Sequence, residues 1–500
     1  MERTTAVSGE GAAGRSPRPW EWALVLVPFL ALAAVHWNDL PSRQAGDYAQ
    51  YLLHAKALAE GRPYDATGYI YSPYAALISP RVQPPGWPLL LAPVVGVFGL
   101  GLLVPKILIT LAAVGFLVMV MKRMSRHDDP TLLAVALGGS GLALETTYAT
   151  NSPLSDVPFC AMLWGVVMLT DTPHALTWRR TVLIGLLTGY AIITRIAGVA
   201  LLPAFVLLAV VRPRDRRMLL GLTSAFAAIA ITAIAIVGFQ KVPFLGQLLR
   251  PPAVMWARMS TFGDKYRLPF FEATMYPFPW DLANDAYHLL ALLMVPLGLV
   301  AFLRRFGRSL LGCLVLTYAV MILLAPVADA RYLWPFWPVL LYWVVAGTRS
   351  VATRVPRLAP YGARLALVLG IVVLVGGFRR AVITPSPDGL LGDPEVRALF
   401  AWVREHPERD AMRMVFVRAR VLTIETGVPA MGVFQAPDSV IESELRRARI
   451  THVVVGDARI GLAGAASLAS TVASRPALFT REYANSSFTV YRFHPGARVP

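Results

Sequence analysis

Residues 43–87 read RQAGDYAQYLLHAKALAEGRPYDATGYIYSPYAALISPRVQPPGW. The stretch follows one apolar segment and precedes a long series of others. It is polar, aromatic and long in a chain whose other connections are mostly short. Connections of more than about 15 residues in compact proteins are usually functional or disordered. The Tyr, Leu and Ala content of this one argues against disorder. It closes on Pro84-Pro85-Gly86, a rigid stop before the next apolar run. Its first acid, Asp47, stands just past the end of the first apolar segment. The reading is a structured extracytoplasmic loop presenting a carboxylate at a membrane face.

Composition supports the membrane. Of 500 residues, 56% are hydrophobic and 15% are charged, and mean hydropathy is +0.55. Soluble domains are nearer 45–50% apolar and about 25% charged. The excess comes as runs of about 20 residues, the length that crosses a bilayer. A net charge of +17 raises nucleic acid as a partner. The basic residues, however, sit in short clusters between apolar runs, as cytoplasmic loops require, so no nucleic-acid partner is expected. Both cysteines, Cys160 and Cys313, fall inside apolar runs and imply no disulfide framework. The polar start, residues 1–21, reads as a cytoplasmic tail before an uncleaved first helix.

Threading the basic clusters to one side gives about eleven spans. Arg15 and Arg18 put the N-terminus inside and the Asp47 loop, residues 38–101, outside. The run 88–100 is short for a span and is expected to lie on or dip into the membrane. The run 182–211 carries Arg195 near its middle. A mid-bilayer arginine costs at least ~2.5–3.5 kcal/mol, so two short spans meeting outside at Thr194-Arg195-Ile196 fit better than one helix. A second long external segment, 240–285, holds Arg258, Lys265, Tyr266 and Arg267. Residues 22–380 thus form the transmembrane domain. After a Pro/Gly linker, residues 385–500 read as a soluble α/β domain outside. It has an amphipathic helix at 394–405, buried-strand runs at 414–417 and 452–455, a helix at 440–448 and a closing hairpin.

Several residues carry candidate chemistry. Asp47 could be a general base or a metal ligand, or simply an N-cap for the helix-like run 48–58. Asp156, in Ser155-Asp156-Val157-Pro158, has the same two readings. Two carboxylates on one membrane face can share acid–base or divalent-cation work. Arg195 and Arg331 sit at external turns. They either snorkel to lipid phosphates or bind a substrate phosphate bidentately. Lys265 and its neighbours form a looser basic-aromatic patch. Glu60, Glu145 and His54 have weaker claims, and His54 is expected at the surface. There is no phosphate-binding glycine loop, dinucleotide fingerprint or zinc-ligand spacing, so no nucleotide cofactor is expected.

The segments GDYAQYLLHAKALAEG, QPPGWPLL, PLSDVPF, LLTGYAIITRIAGVALLPA and DARYLWPFWPVLL, in this order and sidedness, resemble the lipid-sugar-dependent GT-C glycosyltransferases. Bacterial protein O-mannosyltransferases and lipid A aminoarabinose transferases are the nearest in style. The resemblance covers residues 20–380. It implies a polyprenyl-phosphate sugar donor, extracytoplasmic transfer to a glycan, lipid or protein hydroxyl, and residence in the inner (plasma) membrane. It gives Asp47 the base role and Asp156 a part in donor or metal contact. Arg195, Arg331 and Lys265 would face the donor phosphate. The acid here stands alone as Ser155-Asp156, where eukaryotic protein mannosyltransferases have an Asp-Glu pair. The competing class is a transporter or flippase for an amphipathic anionic lipid or glycan. One-sided charge placement and the absence of repeated halves weigh against it. A noncatalytic envelope-assembly subunit has no positive sequence support.

Overall fold

The computed structural model describes residues 15–35, 37–38, 46–78, 80, 83–141, 151–237, 281–324, 330–357, 359–383, 390–456 and 463–496. The chain divides into two compact units. One comprises Met1–Trp37, Ile107–Asn151 and Ser155–Pro385. The other comprises Asn38–Lys106, Ser152–Leu154 and Ser386–Pro500. The first long loop therefore packs with the C-terminal residues in one body.

The first unit is helical. Its elements are α1 (Pro19–Val35), then, after α2 (Asp47–Ala59) and α3 (Gly86–Phe98) of the second unit, α4 (Leu103–Met124), α5 (Pro130–Gly141), α6 (Asp156–Thr170), α7 (Trp178–Thr194), α8 (Leu201–Val211), α9 (Arg216–Val237), α10 (Asp281–Phe306), α11 (Leu310–Leu324), α12 (Trp337–Ala352) and α13 (Gly362–Ile383). These helices are apolar nearly all round, the pattern of buried or membrane helices. Large apolar side chains nonetheless point outward, among them Leu111, Leu186, Val210, Leu293 and Val375. Such a surface would be a liability in water and suits acyl chains. The protein is a multi-pass membrane protein.

Among the described residues, three helices are long and apolar enough to cross a membrane, against the about eleven spans expected of the whole chain. A fourth span is possible if Ile196–Val211 and Pro213–Thr232, bent by 120°, count as one. Shorter apolar helices of 10–17 residues include Pro19–Val35, Asp156–Thr170 and Leu310–Leu323. At 1.5 Å per residue they fall short of a hydrocarbon core of about 30 Å.

Buried ions hold this bundle at its arginine-rich ends. The Asp171 carboxylate accepts from Leu310 N–H (2.7 Å), Leu311 N–H (3.3 Å) and Arg123 (3.1 Å), capping α11 from a distant element. Asp128 takes Arg305, Arg349 and the Tyr342 hydroxyl. Glu21 takes Arg15 and Thr131. Helices α10 and α12 cross at Gly298 and Gly347. A Cβ on either would strike the other helix's backbone, the close approach that small residues permit in membrane helices.

The second unit is mixed. Helices α2 (Asp47–Ala59) and α3 (Gly86–Phe98) pack on each other. Trp87 donates its indole N–H to the Pro153 carbonyl at 2.9 Å. A five-stranded sheet follows, in the order β2 (Ala430–Met431), β1 (Met414–Val415), β3 (His452–Gly456), β5 (Phe488–Phe493), β4 (Phe479–Ala484). The first two pairings are parallel and the last two antiparallel. Helix α14 (Pro394–Glu405) forms for legible reasons. The Asp393 carboxylate caps it from Glu395 N–H, and Pro394 opens it. Val396, Leu399, Phe400 and Val403 recur at helical spacing and are buried. Each such burial contributes about 1.5–3 kcal/mol. Helices α15 (Ala419–Thr426), α16 (Asp438–Arg447) and α17 (Ala463–Ser474) complete the unit.

The first loop is stitched to this sheet through its backbone. Ile70 N–H donates to Ala430 O at 2.8 Å, and Ala430 N–H donates to Gly68 O at 3.1 Å. Tyr69 thereby bridges Ala430 as a parallel extension beside β2. Gly68 adopts φ +79°, and a Cβ there would lie 2.8 Å from Thr423 Cγ2. Only glycine meets both demands cheaply.

Candidate active site

Asp47 is the first residue of α2, and Gly46 holds the cap position without a side-chain hydrogen bond. An acid in the first helical turn is favoured by the helix dipole, but the cap reading is not what places this one. Its Oδ1 accepts from Arg420 Nη1 at 2.8 Å. The Asp47 side chain is 31% exposed and that of Arg420 only 7%. The carboxylate thus has an open side, and the arginine that orients it does not. Arg420 also lies over the Tyr69 ring, 5.7 Å from its centroid. Helix α15 of the C-terminal residues therefore supplies the partner of the loop acid. No local sequence signal pointed to Arg420.

His54, two turns along α2, is fully buried, which corrects the expectation of a surface histidine. Its ring stacks on Tyr64 at 4.0 Å. Nδ1 donates to the Tyr64 carbonyl at 2.6 Å, and Nε2 accepts from Gln50 Nε2 at 2.9 Å. Burial pushes its pKa down to about 4. It is a neutral pin for the loop and is not poised as an acid or base. Glu60 pairs with Arg62 at 2.6 Å on the surface.

Asp156, the first residue of α6, is buried and bound to Arg195. Arg195 sits where the long apolar run breaks. Its backbone is extended (φ −148°, ψ 133°) between the end of α7 and a 3-10 turn, Ile196–Ala200, that leads into α8. The break expected at Thr194-Arg195-Ile196 is present, and it turns the guanidinium onto Asp156. The ring of Tyr332 lies 5.8 Å from that guanidinium. Tyr332 follows Arg331 in the 3-10 segment Ala330–Phe336, so the two arginine-bearing stretches meet at one corner of the first unit. Lys265, Arg258, Tyr266, Arg267, Glu145 and most of segment 240–285 lie outside the described residues.

A divalent cation shared by Asp47 and Asp156 is one of the roles expected of these acids. Each carboxylate already faces a guanidinium. Among the described residues, neither belongs to a group of three metal-ligating side chains.

No protein-family model and no curated protein matches this chain. Solved structures do. The archaeal oligosaccharyltransferase AglB from Archaeoglobus fulgidus, in complex with an inhibitory peptide and a dolichol-phosphate, superposes with a TM-score of 0.55 at 14% identity. The match covers 87% of this chain and 69% of that one. ArnT from Cupriavidus metallidurans bound to undecaprenyl phosphate gives 0.53 at 15% identity, over 93% and 97%. The same protein in the apo state gives 0.57 at 15% identity, over 94% and 98%. At such identities the fold is what is shared. The chain has the GT-C glycosyltransferase fold over most of its length, as the quoted motifs led one to expect.

Proposed function

We propose that this protein is an integral membrane glycosyltransferase. It would move a sugar from a polyprenyl-phosphate donor to an extracytoplasmic acceptor hydroxyl, on a glycan, lipid or peptide, with inversion. The observation that supports this best is the placement of Asp47. It is a half-open carboxylate at the start of a helix in the first loop of a GT-C fold, oriented by a buried arginine. Complexes of similar folds with dolichol-phosphate and undecaprenyl phosphate favour a lipid phosphate donor.

In this reading Asp47 takes the proton of the acceptor hydroxyl, and that oxygen attacks the anomeric carbon. The bond to the lipid phosphate breaks, and the phosphate leaves as an anion that needs no strong acid. Arg195, Arg331 and Lys265 stabilise its charge as the bond breaks. A guanidinium has five donors, so Arg195 can keep Asp156 while it receives a phosphate oxygen. Asp156 then acts on the donor by holding Arg195 in place.

Single-turnover transfer from a purified lipid-linked sugar in proteoliposomes tests the proposal across a panel of acceptors. Transfer supports it. Movement of the intact lipid or glycan between leaflets without transfer would instead establish the transporter reading.

The sidedness is also a proposal: residues 1–21 inside, loops 38–101 and 240–285 outside, and residues 385–500 outside the plasma membrane. Ser439 and Thr353 are exposed, and both native cysteines are buried. A cysteine placed at Ser439 should react with an impermeant thiol reagent in intact cells. One at Thr353 should react only after permeabilisation. The reverse pattern would overturn the threading.

A further inference from the structure

We propose that His406, His452 and Glu482 form a binding site for one zinc-class divalent ion in the C-terminal residues, separate from the acids assigned to transfer. The three side chains offer ligand atoms that all lie within 4.8 Å of one another. Glu482 Oε2 is 3.0 Å from His452 Nε2 and 3.7 Å from His406 Nε2. A tetrahedral ion with bonds of about 2.0–2.1 Å sets its ligand atoms roughly 3.3 Å apart. The two separations from Glu482 bracket that value and the ligand atoms of the two histidines lie within 4.8 Å of each other, so loading needs only side-chain shifts. Two imidazoles and one carboxylate select zinc-like ions over magnesium or calcium, which prefer all-oxygen sets. A fourth position is left for water or a substrate group.

The surroundings are those of a built site. His406 ends α14, His452 opens β3, and Glu482 lies in β4. Strands β4 and β5 pair Arg481 with Tyr491 and Tyr483 with Val490, so Glu482 is the extra residue of a bulge. Bulges re-aim a side chain, and here the carboxylate reaches β3 across β5. Its other oxygen accepts from Arg492 at 3.2 Å, which leaves Oε2 as a single-point ligand.

The proton balance closes on the protein's own groups. Without metal, Thr451 Oγ1–H donates to His452 Nδ1, 2.8 Å away, and Nε2–H donates to Glu482. With metal, Thr451 donates instead to the Arg413 carbonyl at 3.2 Å. His452 Nδ1–H then donates to Thr451, and the Nε2 lone pair is freed for the ion. His406 shifts its proton from Nε2 to Nδ1 in the same way. It gives up the 3.2 Å bond from Glu408 N–H, which is exposed and can turn to water. Trp402 presents a wall to both rings, with centroids 4.8 Å from His406 and 6.4 Å from His452. Such apolar walls exclude competing water from metal sites.

The test is a metal titration of the full-length protein in detergent, purified without a histidine tag. It needs no transferase assay, so it stands or falls apart from the proposed function. Wild type should retain about one zinc per chain after desalting. With Co2+ it should show the intense visible absorption of a four-coordinate ion. His406→Ala and Glu482→Gln, both at the more accessible ligands, should each weaken binding at least about tenfold. The size-exclusion profile should not change. Retained zinc that both variants keep in full would place the metal elsewhere and overturn the assignment. A wild type that takes up neither zinc nor Co2+ would also overturn it, leaving a plain histidine–glutamate hydrogen bond.

Discussion

Asp47→Asn is expected to lower single-turnover sugar transfer by about 10²–10⁴-fold, the usual contribution of a general base, while the lipid-linked donor still binds. Asparagine keeps the size of the side chain and one oxygen able to accept from Arg420, but it has no basicity. The competing explanation is structural. Asp47 joins the first loop to helix α15 through Arg420, and removing its charge leaves a nearly buried guanidinium less well compensated. A lost charge-assisted hydrogen bond costs about 1.5–3 kcal/mol, so some loss of stability accompanies the substitution. The two effects separate by temperature. If Asp47 is only a latch, transfer by the folded fraction stays near wild type well below the unfolding midpoint. If Asp47 is the base, transfer is lost even there. Asp47→Glu keeps the charge and the pairing but moves the carboxylate by about one methylene. It should stay as stable as wild type and still transfer poorly, because the base must be placed to within hydrogen-bond reach of the hydroxyl. Normal transfer by folded Asp47→Asn would end the proposed mechanism.

What the sequence revealed followed from periodicity and punctuation, which are local. Asp393-Pro394 and the apolar spacing through Val403 announced α14, and the observed helix starts and stops there. Arg195 in an apolar run announced a break, because a lone charge cannot sit in hydrocarbon. The signals it lacked are non-local. Arg420 reaches Asp47 across 373 positions, and no window of sequence contains both. His54 lies on a helix between Leu53 and Ala55, and its burial comes with contacts the helix alone does not show, such as the stacked Tyr64 ring ten positions on. The arginine clusters gave no sign of the pairing with Asp128 and Asp171 that ties the helices together. Hydropathy reads total apolar length, and helices are cut short at turns such as Leu154–Asp156 and Arg195, so apolar runs and helix lengths give different span counts among the described residues. The bulge at Glu482 is a one-residue slip of register that alternation within a single strand does not reveal.

Arg195→Ala is expected to destabilise the first unit by about 3–5 kcal/mol, since removing one partner of a buried pair strands the other charge. Asp156 is 2% exposed. Asp156→Asn should cost less. Arg195 is 17% exposed, retains the face of Tyr332 and can extend toward lipid phosphates. The double variant should recover most of the stability lost by Arg195→Ala, because no charge is then left buried. Unfolding titrations of the four proteins in mixed detergent give this coupling, and additive losses would mean that the ion pair does not govern the corner. The same cycle decides what Arg195 does for the reaction. If it serves only to neutralise Asp156, the double variant regains transfer along with its fold. If it also meets the donor phosphate, the double variant folds and still transfers at about one-tenth of the wild-type rate or less, the consequence of one lost charge-assisted contact. A folded double variant with wild-type transfer would leave Arg331 and Lys265 to carry the phosphate, and would reduce Asp156 and Arg195 to the joint that lets an apolar run turn back at the membrane surface.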